Sequence, residues 1–223
     1  MNITHSRIFS GRLRHGFTLI TIILFLLATG RVKGAEIVVT ATGVIMGGTG
    51  DALHLFSNVR NLNGQPFTVV FTYDDTKGKR TPLAGCEGTA TGVEGDGADS
   101  PGKAVLTIAG KSYTFGTKKY SHSGTWREIA SFCSQSHIVF EVDDTGNNSW
   151  NSTVIEVNIH PADKGRPFTQ NPDWRSPLAT SAIDFDGMSG FAIAGPGMSG
   201  SGGRFTVKNV TITGGPSWRT LWR

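Results

Sequence analysis

Two glutamates, Glu141 and Glu156, form the one pair of carboxylates that the sequence allows us to place opposite each other on neighbouring strands. They lie in segments 137–144 (HIVFEVDD) and 152–160 (STVIEVNIH), which alternate apolar and polar residues as half-buried strands do. A hairpin that sets Glu141 opposite Glu156 also stacks three apolar pairs on its other face: Ile138 with Ile159, Phe140 with Val157, and Val142 with Ile155. Opposed residues have Cβ atoms about 4.5–5.5 Å apart, and retaining glycosidases need carboxylates about 5–5.5 Å apart. The pair is a candidate catalytic site of a carbohydrate-active hydrolase. The alternative is an exposed sheet face that tolerates two charges.

Three tryptophans are candidate ligand-binding residues, because they lie in polar segments typical of loops. They are Trp126, Trp150 and Trp174. An exposed indole stacks well on a sugar ring, whereas a half-buried structural tryptophan is the alternative. The partners that this pattern favours are polysaccharides or other cell-surface components.

Oxygen-bearing side chains cluster after segment 137–144, at Asp143, Asp144 and Asn147. They are candidate Ca²⁺ ligands, although their spacing is not that of an EF-hand and such residues are also common in turns. The histidines show no paired spacing that would indicate another metal site. We therefore expect no cofactor, and no metal beyond this candidate.

The segment SGSGG (199–203) resembles the nucleophile motif of trypsin-like proteases but lacks its aspartate. The segment that carries the catalytic histidine in those enzymes is also missing. The sequence therefore predicts a flexible glycine-rich turn here rather than a nucleophile, and no catalytic activity is assigned.

The elements that position these residues are short strands. Segments 67–73, 104–115 and 204–213 alternate apolar and polar residues, and Ala109-Gly110 predicts a tight hairpin within the second. Further strands are expected at 36–42, 178–185 and 190–194, whereas residues 85–102 predict a long glycine-rich loop. About nine strands without alternating helices indicate an all-β, antiparallel β-sandwich or jelly roll with long glycine-rich loops.

The N-terminus carries a hydrophobic helix signal. Three arginines precede an apolar run from Phe17 to Ala28, which is shorter than the roughly 20 residues that a membrane-spanning helix needs. This layout predicts a signal peptide over residues 1–34, and an uncleaved anchor is the alternative. A single β-sandwich domain over residues 35–214 and a short tail over 215–223 complete the expected organisation.

The run Gly16 to Ile20 (GFTLI) is similar to the leader of type IV pilins, which leaves a pilin-like subunit as a further alternative. Those leaders continue with a glutamate and a long apolar helix. This chain has Thr21 at the glutamate position and soon turns to strand-forming residues.

Charge argues against a nucleic-acid partner. The chain has 21 basic and 17 acidic residues, and three of the basic ones are the leader arginines Arg7, Arg12 and Arg14. The rest of the chain is nearly neutral and lacks the basic stripe that nucleic-acid binding requires. Contact with a membrane is expected only through the N-terminal segment, if it stays uncleaved.

The two cysteines, Cys86 and Cys133, are expected to form a disulfide, because an exported chain meets an oxidising compartment. Two buried free thiols are the alternative.

Residues 40–116 resemble a group of exported bacterial proteins that often carry a C-terminal PEP-CTERM sorting segment. The matching positions are Thr42, Gly43, Val44, Asp51, Phe56, Gly64, Phe67, Thr68, Tyr73 and Leu106 to Phe115. The resemblance implies a secreted, periplasmic or cell-surface β-sandwich, and its motifs are structural rather than catalytic. Residues 215–223 show no Pro-Glu-Pro motif, so anchoring by that sorting route is not expected. We therefore expect an exported protein with a binding or structural role.

Overall fold

The structure is a computed structural model that describes residues 36–58, 60–80, 89–129, 137–144, 153–161, 174–175, 183–184, 189–195 and 200–214. Within these ranges the backbone alone is described at 49, 89–91, 126–129, 137, 160–161 and 183–184. All these residues belong to one compact unit, Gly34–Arg223.

The described residues form twelve strands and one short 3₁₀ turn, Gly97–Asp99. The all-β prediction is confirmed. No apolar helix long enough to cross a membrane occurs in the described part of the chain. The strands are β1 (Glu36–Asp51), β2 (Pro66–Asp74), β3 (Lys79–Arg80), β4 (Thr89–Asp96), β5 (Gly102–Ile108), β6 (Lys111–Phe115), β7 (His122–Ile129), β8 (His137–Asp143), β9 (Val154–Pro161), β10 (Ile183–Asp184), β11 (Gly190–Ala194) and β12 (Gly200–Gly214).

The strands form one continuous antiparallel sheet in the order β3-β4-β7-β8-β9-β11-β12-β1-β2-β5-β6, and β10 pairs with β9. The sheet curls, so that β5 contacts β7 and β8 in a sandwich-like arrangement. Aromatic rings fill the space between the two halves: the centroids of Phe71 on β2 and Phe140 on β8 lie 5.9 Å apart. The hydroxyl of Tyr73 on β2 donates to the carbonyl oxygen of Gly124 on β7 at 3.1 Å.

The register expected for the β8–β9 hairpin is confirmed. Glu141 pairs with Glu156, and the three apolar pairs lie opposite one another with fully buried side chains. Burial of this apolar face fixes the register, since a slip by one residue would turn it to solvent.

The two-residue turn between β5 and β6 is also confirmed. Ile108 pairs with Lys111, and both turn residues have positive φ, 50° at Ala109 and 80° at Gly110. These values are those of a type I′ turn, which suits the twist of a hairpin.

The prediction of one long loop over residues 85–102 is wrong for residues 89–96, which form β4 and pair with β7 along its whole length. Both strands are rich in Gly, Thr and Ser, and such residues give no apolar alternation. Gly95 is required by packing, because a methyl group there would collide with the carbonyl oxygen of Asp99. The predicted turn at SGSGG is likewise wrong for residues 200–203, which belong to β12.

β1 begins at Glu36 and continues to Asp51. A pilin-like subunit would need a helix that continues past Val44, so β1 removes the expectation of such a helix over residues 36–44. The leader itself and the tail 215–223 lie outside the described residues.

Candidate functional site

The candidate site lies on the outer face of the sheet, defined here as the side of β4, β7, β8 and β9 that carries Glu94, Glu141 and Glu156. The register aligns these glutamates with two glycines across the strands, in the order Glu94, Gly124, Glu141, Glu156, Gly190. Neither glycine adds a side chain to this row, and at Gly190 the space that a Cβ would need is taken by the carbonyl oxygen of Gly203.

Glu141 is half-buried, and its environment favours the protonated carboxylic acid. Burial raises its pKa, and the negative charges of Glu156 and Asp143 raise it further, while the nearby His122 opposes them. Two adjacent carboxylates cannot both ionise without repulsion. The pair can therefore hold one proton between an acid and a base.

Asn158 extends this row towards the end of β9. Its Nδ2 lies 3.5 Å from Glu156 Oε1, while its buried Oδ1 has no hydrogen-bond partner among the described atoms. The backbone of Asn158 is held by Ser189, whose Oγ accepts from the Asn158 N–H at 2.9 Å and donates to its carbonyl oxygen at 3.0 Å. This end of the outer face is shielded from water, since Val139 beside it is only 2% exposed.

A cleft of about 560 Å³ lies beside the glutamate pair. It is lined by residues 76–79, which lead into β3, by residues 94–96 of β4, and by Asp99 and His122. The lining carries two lysines, three carboxylates and one imidazole. Such a surface offers many hydrogen bonds and suits a polar ligand.

His122 connects the cleft to the glutamate pair. Its Nδ1 lies 2.9 Å from Asp96 Oδ1, and its backbone pairs with Asp143 on β8. The imidazole also acts electrostatically on Glu141. His122 is therefore within electrostatic reach of both the cleft and the glutamate pair.

Tyr120 lies on the turn that precedes β7 and is 68% exposed. This turn is tied to the cleft by the Gly97 N–H, which donates to the Ser121 carbonyl oxygen at 2.8 Å. The Lys119 ammonium lies 5.4 Å from the centroid of the Tyr120 ring. The turn that carries this exposed aromatic ring is thus hydrogen-bonded to Gly97, which lies between the cleft residues Asp96 and Asp99 in sequence.

Of the three predicted tryptophans, Trp174 is the one whose side chain is described, and it does not lie at this site. Trp174 is 5% exposed and packs edge-on against Tyr73, with ring centroids 5.7 Å apart. Its neighbour Arg175 anchors it through an ion pair with Asp75 at 3.1 Å. The Trp174 ring therefore belongs to the core. The backbone of Trp126 pairs with Val139, its side chain is not described, and Trp150 lies outside the described residues.

The predicted Ca²⁺ ligands are divided by the end of β8. The backbone of Asp143 on β8 pairs with the backbone of His122 on β7. Asp144, in contrast, is buried, and its carboxylate accepts hydrogen bonds from Ser121 Oγ and, at 3.0 Å, from the Gly116 N–H. The other oxygen of Asp144 has no hydrogen-bond partner among the described atoms. Asn147 lies outside the described residues, and among those described no three His, Cys, Asp or Glu side chains are placed to hold a metal.

Ser201, in the protease-like segment, has a structural role. Its Oγ donates to Asp51 Oδ1 at 2.6 Å and accepts from the Leu53 N–H at 3.2 Å, and the serine is buried. The predicted disulfide partners Cys86 and Cys133 lie outside the described residues.

The sequence did not identify the residues that shape the cleft. Asp96, Asp99 and His122 come from β4, the 3₁₀ turn after it and β7, whereas the sequence predicts a loop over residues 85–102 and no strand over residues 122–129. The segment YSHSGTW (120–126) carried the available signal, since an exposed aromatic and a histidine close together often mark a binding site.

Comparison with known proteins finds no family model that matches the sequence, no similar curated protein and no solved structure that matches the chain.

Proposed function

We propose that this protein is exported and binds carbohydrate at the cell surface, in the periplasm or in the extracellular matrix, through the cleft beside His122. The observation that carries the proposal is the cleft itself, which is about 560 Å³ in volume and lined by polar and charged side chains. Cavities of about 300–1,000 Å³ are typical of small-ligand sites. Export is supported by the layout of the leader.

Two features favour a sugar over an apolar ligand. Carboxylates and lysines in the cleft suit the dense hydroxyl groups of a saccharide. Tyr120 adds a ring that a sugar can stack on, since its apolar face is open to solvent.

The test is a glycan array, followed by a polysaccharide pull-down with the full chain. Tyr120→Ala and His122→Ala are expected to reduce binding at least about fivefold, as the loss of one stacking or hydrogen-bonding contact would. Met46→Ala is the control, because Met46 is also exposed, at 55%, but does not line the cleft. Binding that is unchanged in both cleft variants would contradict the proposal.

A second candidate is a glycoside hydrolase that uses Glu141 as the acid and Glu156 as the nucleophile. The raised pKa of Glu141 beside a second carboxylate favours this alternative, because a general acid must keep its proton near neutral pH.

Hydrolysis of polysaccharides by the full chain tests this candidate. Glu141→Gln and Glu156→Gln are each expected to lower the rate at least about 100-fold, and Glu36→Gln, an exposed residue at the start of β1, is the control. Equal hydrolysis by all three variants would exclude these glutamates as the catalytic pair.

A further inference from the structure

The cleft brings together charges of both signs from different segments. Lys77 and Lys79 come from the β2–β3 connection and the start of β3, while Asp96 and Asp99 come from the end of β4 and the 3₁₀ turn after it. Among the described residues, no ion pair joins these lysines to these aspartates. Asp96 is bound to His122, and its side chain is nevertheless 85% exposed.

Backbone packing fixes the distance between the two charged segments. Gly95 lies between them: a methyl group there would approach the Cα of Gly78 to 3.0 Å and collide with the carbonyl oxygen of Asp99. Gly78 and Gly97 also adopt positive φ, 74° and 58°, which glycine accepts without strain. The lysines and aspartates are thus held by contacting backbones rather than by each other.

We propose that the natural ligand of this cleft is a glycan that carries both ammonium and carboxylate groups. This inference rests on the proposed carbohydrate-binding function and specifies its ligand. Lys77 and Lys79 bind the carboxylates, and Asp96 and Asp99 bind the ammonium groups. A ligand with both charges satisfies both segments at once, whereas a ligand with a single charge satisfies one and is repelled by the other.

The experiment measures the affinity of the full chain for four small saccharides by calorimetry. They are a neutral disaccharide, a hexosamine, a uronic acid and a disaccharide that joins a hexosamine to a uronic acid. If each exposed ion pair adds about two- to fivefold, the mixed disaccharide is expected to bind about four- to 25-fold more tightly than the neutral disaccharide and about two- to fivefold more tightly than either singly charged saccharide. Its affinity is expected to fall between 0.1 and 1 M salt, as the Debye length shrinks from about 10 to about 3 Å.

Two variants test the positive and the negative residues of the cleft one at a time. Lys79→Gln is expected to weaken binding of the uronic acid and to strengthen binding of the hexosamine slightly, and Asp99→Asn to do the reverse. Both side chains are exposed, so neither change disturbs the core. Lys111→Gln on β6 is the control, since Lys111 is equally exposed and lies outside the cleft.

The outcomes distinguish this inference from the function on which it rests. Equal affinity for the neutral and mixed disaccharides, without salt dependence, would overturn the ligand assignment and leave carbohydrate binding intact. Tighter binding of a peptide with both charges than of any saccharide would overturn the assignment and the carbohydrate proposal together. No binding of any saccharide, by calorimetry or on the array, would also overturn both.

Discussion

The Ser201 hydroxyl donates a hydrogen bond to the Asp51 carboxylate at 2.6 Å, although the two residues are 150 positions apart in sequence. The same carboxylate accepts the backbone N–H groups of Leu55 at 2.9 Å and of Phe56 and Ser57 at 2.8 Å. Burial acts to raise the pKa of Asp51, but these four hydrogen bonds outweigh it and lower the pKa. One buried carboxylate therefore ties the loop after β1 to the β1–β12 pair.

We expect Asp51→Ala to lower the free energy of unfolding by about 3 kcal/mol, because one buried and two partly buried N–H groups lose their acceptor. Ser201→Ala should cost about 1.5–3 kcal/mol, the range for a hydrogen bond to a charged group. Urea denaturation measures both. Asp74→Ala is the matched control, because Asp74 also accepts a backbone N–H, from Thr76 at 3.0 Å, but in an exposed turn. A loss in Asp51→Ala no larger than in the control would show that the buried carboxylate is dispensable.

Glu141 is expected to make stability depend on pH. Its pKa in the folded state lies above the ordinary value of 4.5, so the folded state binds this proton more readily than the unfolded state. The stabilisation is complete below about pH 4.5 and is lost as the pH rises through the folded pKa. Glu141→Gln, which cannot ionise, should therefore be more stable than the native protein at about pH 8 and equally stable at about pH 4.

Thermal melting at these two pH values checks the prediction for Glu141. The control is Glu36→Gln, which removes a charge from an exposed position on β1. A Glu141→Gln variant that is less stable than the native protein at the higher pH would mean that the ionised carboxylate is stabilising.

The β8–β9 hairpin could be predicted in register because one face of each strand is apolar. Three pairs of buried side chains allow a single alignment, and that alignment carries Glu141 and Glu156 to the opposite face. β4 and β7 could not be predicted in the same way. Their glycines, serines and threonines fit a strand or a loop equally well, and the choice depends on neighbouring strands that lie far away in sequence.

The cleft could not be predicted from the sequence either, because it also depends on strands that are far apart in the chain. His122 and Asp96 face each other only because β4 pairs with β7, and Lys79 joins them only because β3 pairs with β4. The burial of Trp174 depends on Tyr73, which is 101 positions away. Local sequence pattern fixes which side of a strand a residue occupies, whereas sites made from several strands depend on the order of the sheet.

The turn between β5 and β6 offers a stabilising substitution. Ala109 has a φ of 50°, a region that costs most residues with a Cβ roughly 1–2 kcal/mol and that asparagine tolerates better. We expect Ala109→Asn to raise the free energy of unfolding by about 0.5–1 kcal/mol, which corresponds to about 1–4 °C in a chain of this size. Gly110→Ala should have the opposite effect, because it places a Cβ at a φ of 80°. A melting temperature that falls in Ala109→Asn would argue against a type I′ turn.

The Tyr73 hydroxyl is expected to stabilise the closure of the curled sheet. It donates to the Gly124 carbonyl oxygen, and its buried ring contacts Phe140 and Trp174. Tyr73→Phe keeps the ring and removes the donor, so we expect a loss of about 0.5–1.5 kcal/mol by urea denaturation. Tyr113→Phe is the matched control, because Tyr113 is half-buried and no hydrogen bond of its hydroxyl is recorded among the described residues. If both variants unfold at the same urea concentration as the native protein, the two halves of the sheet are held by apolar packing alone.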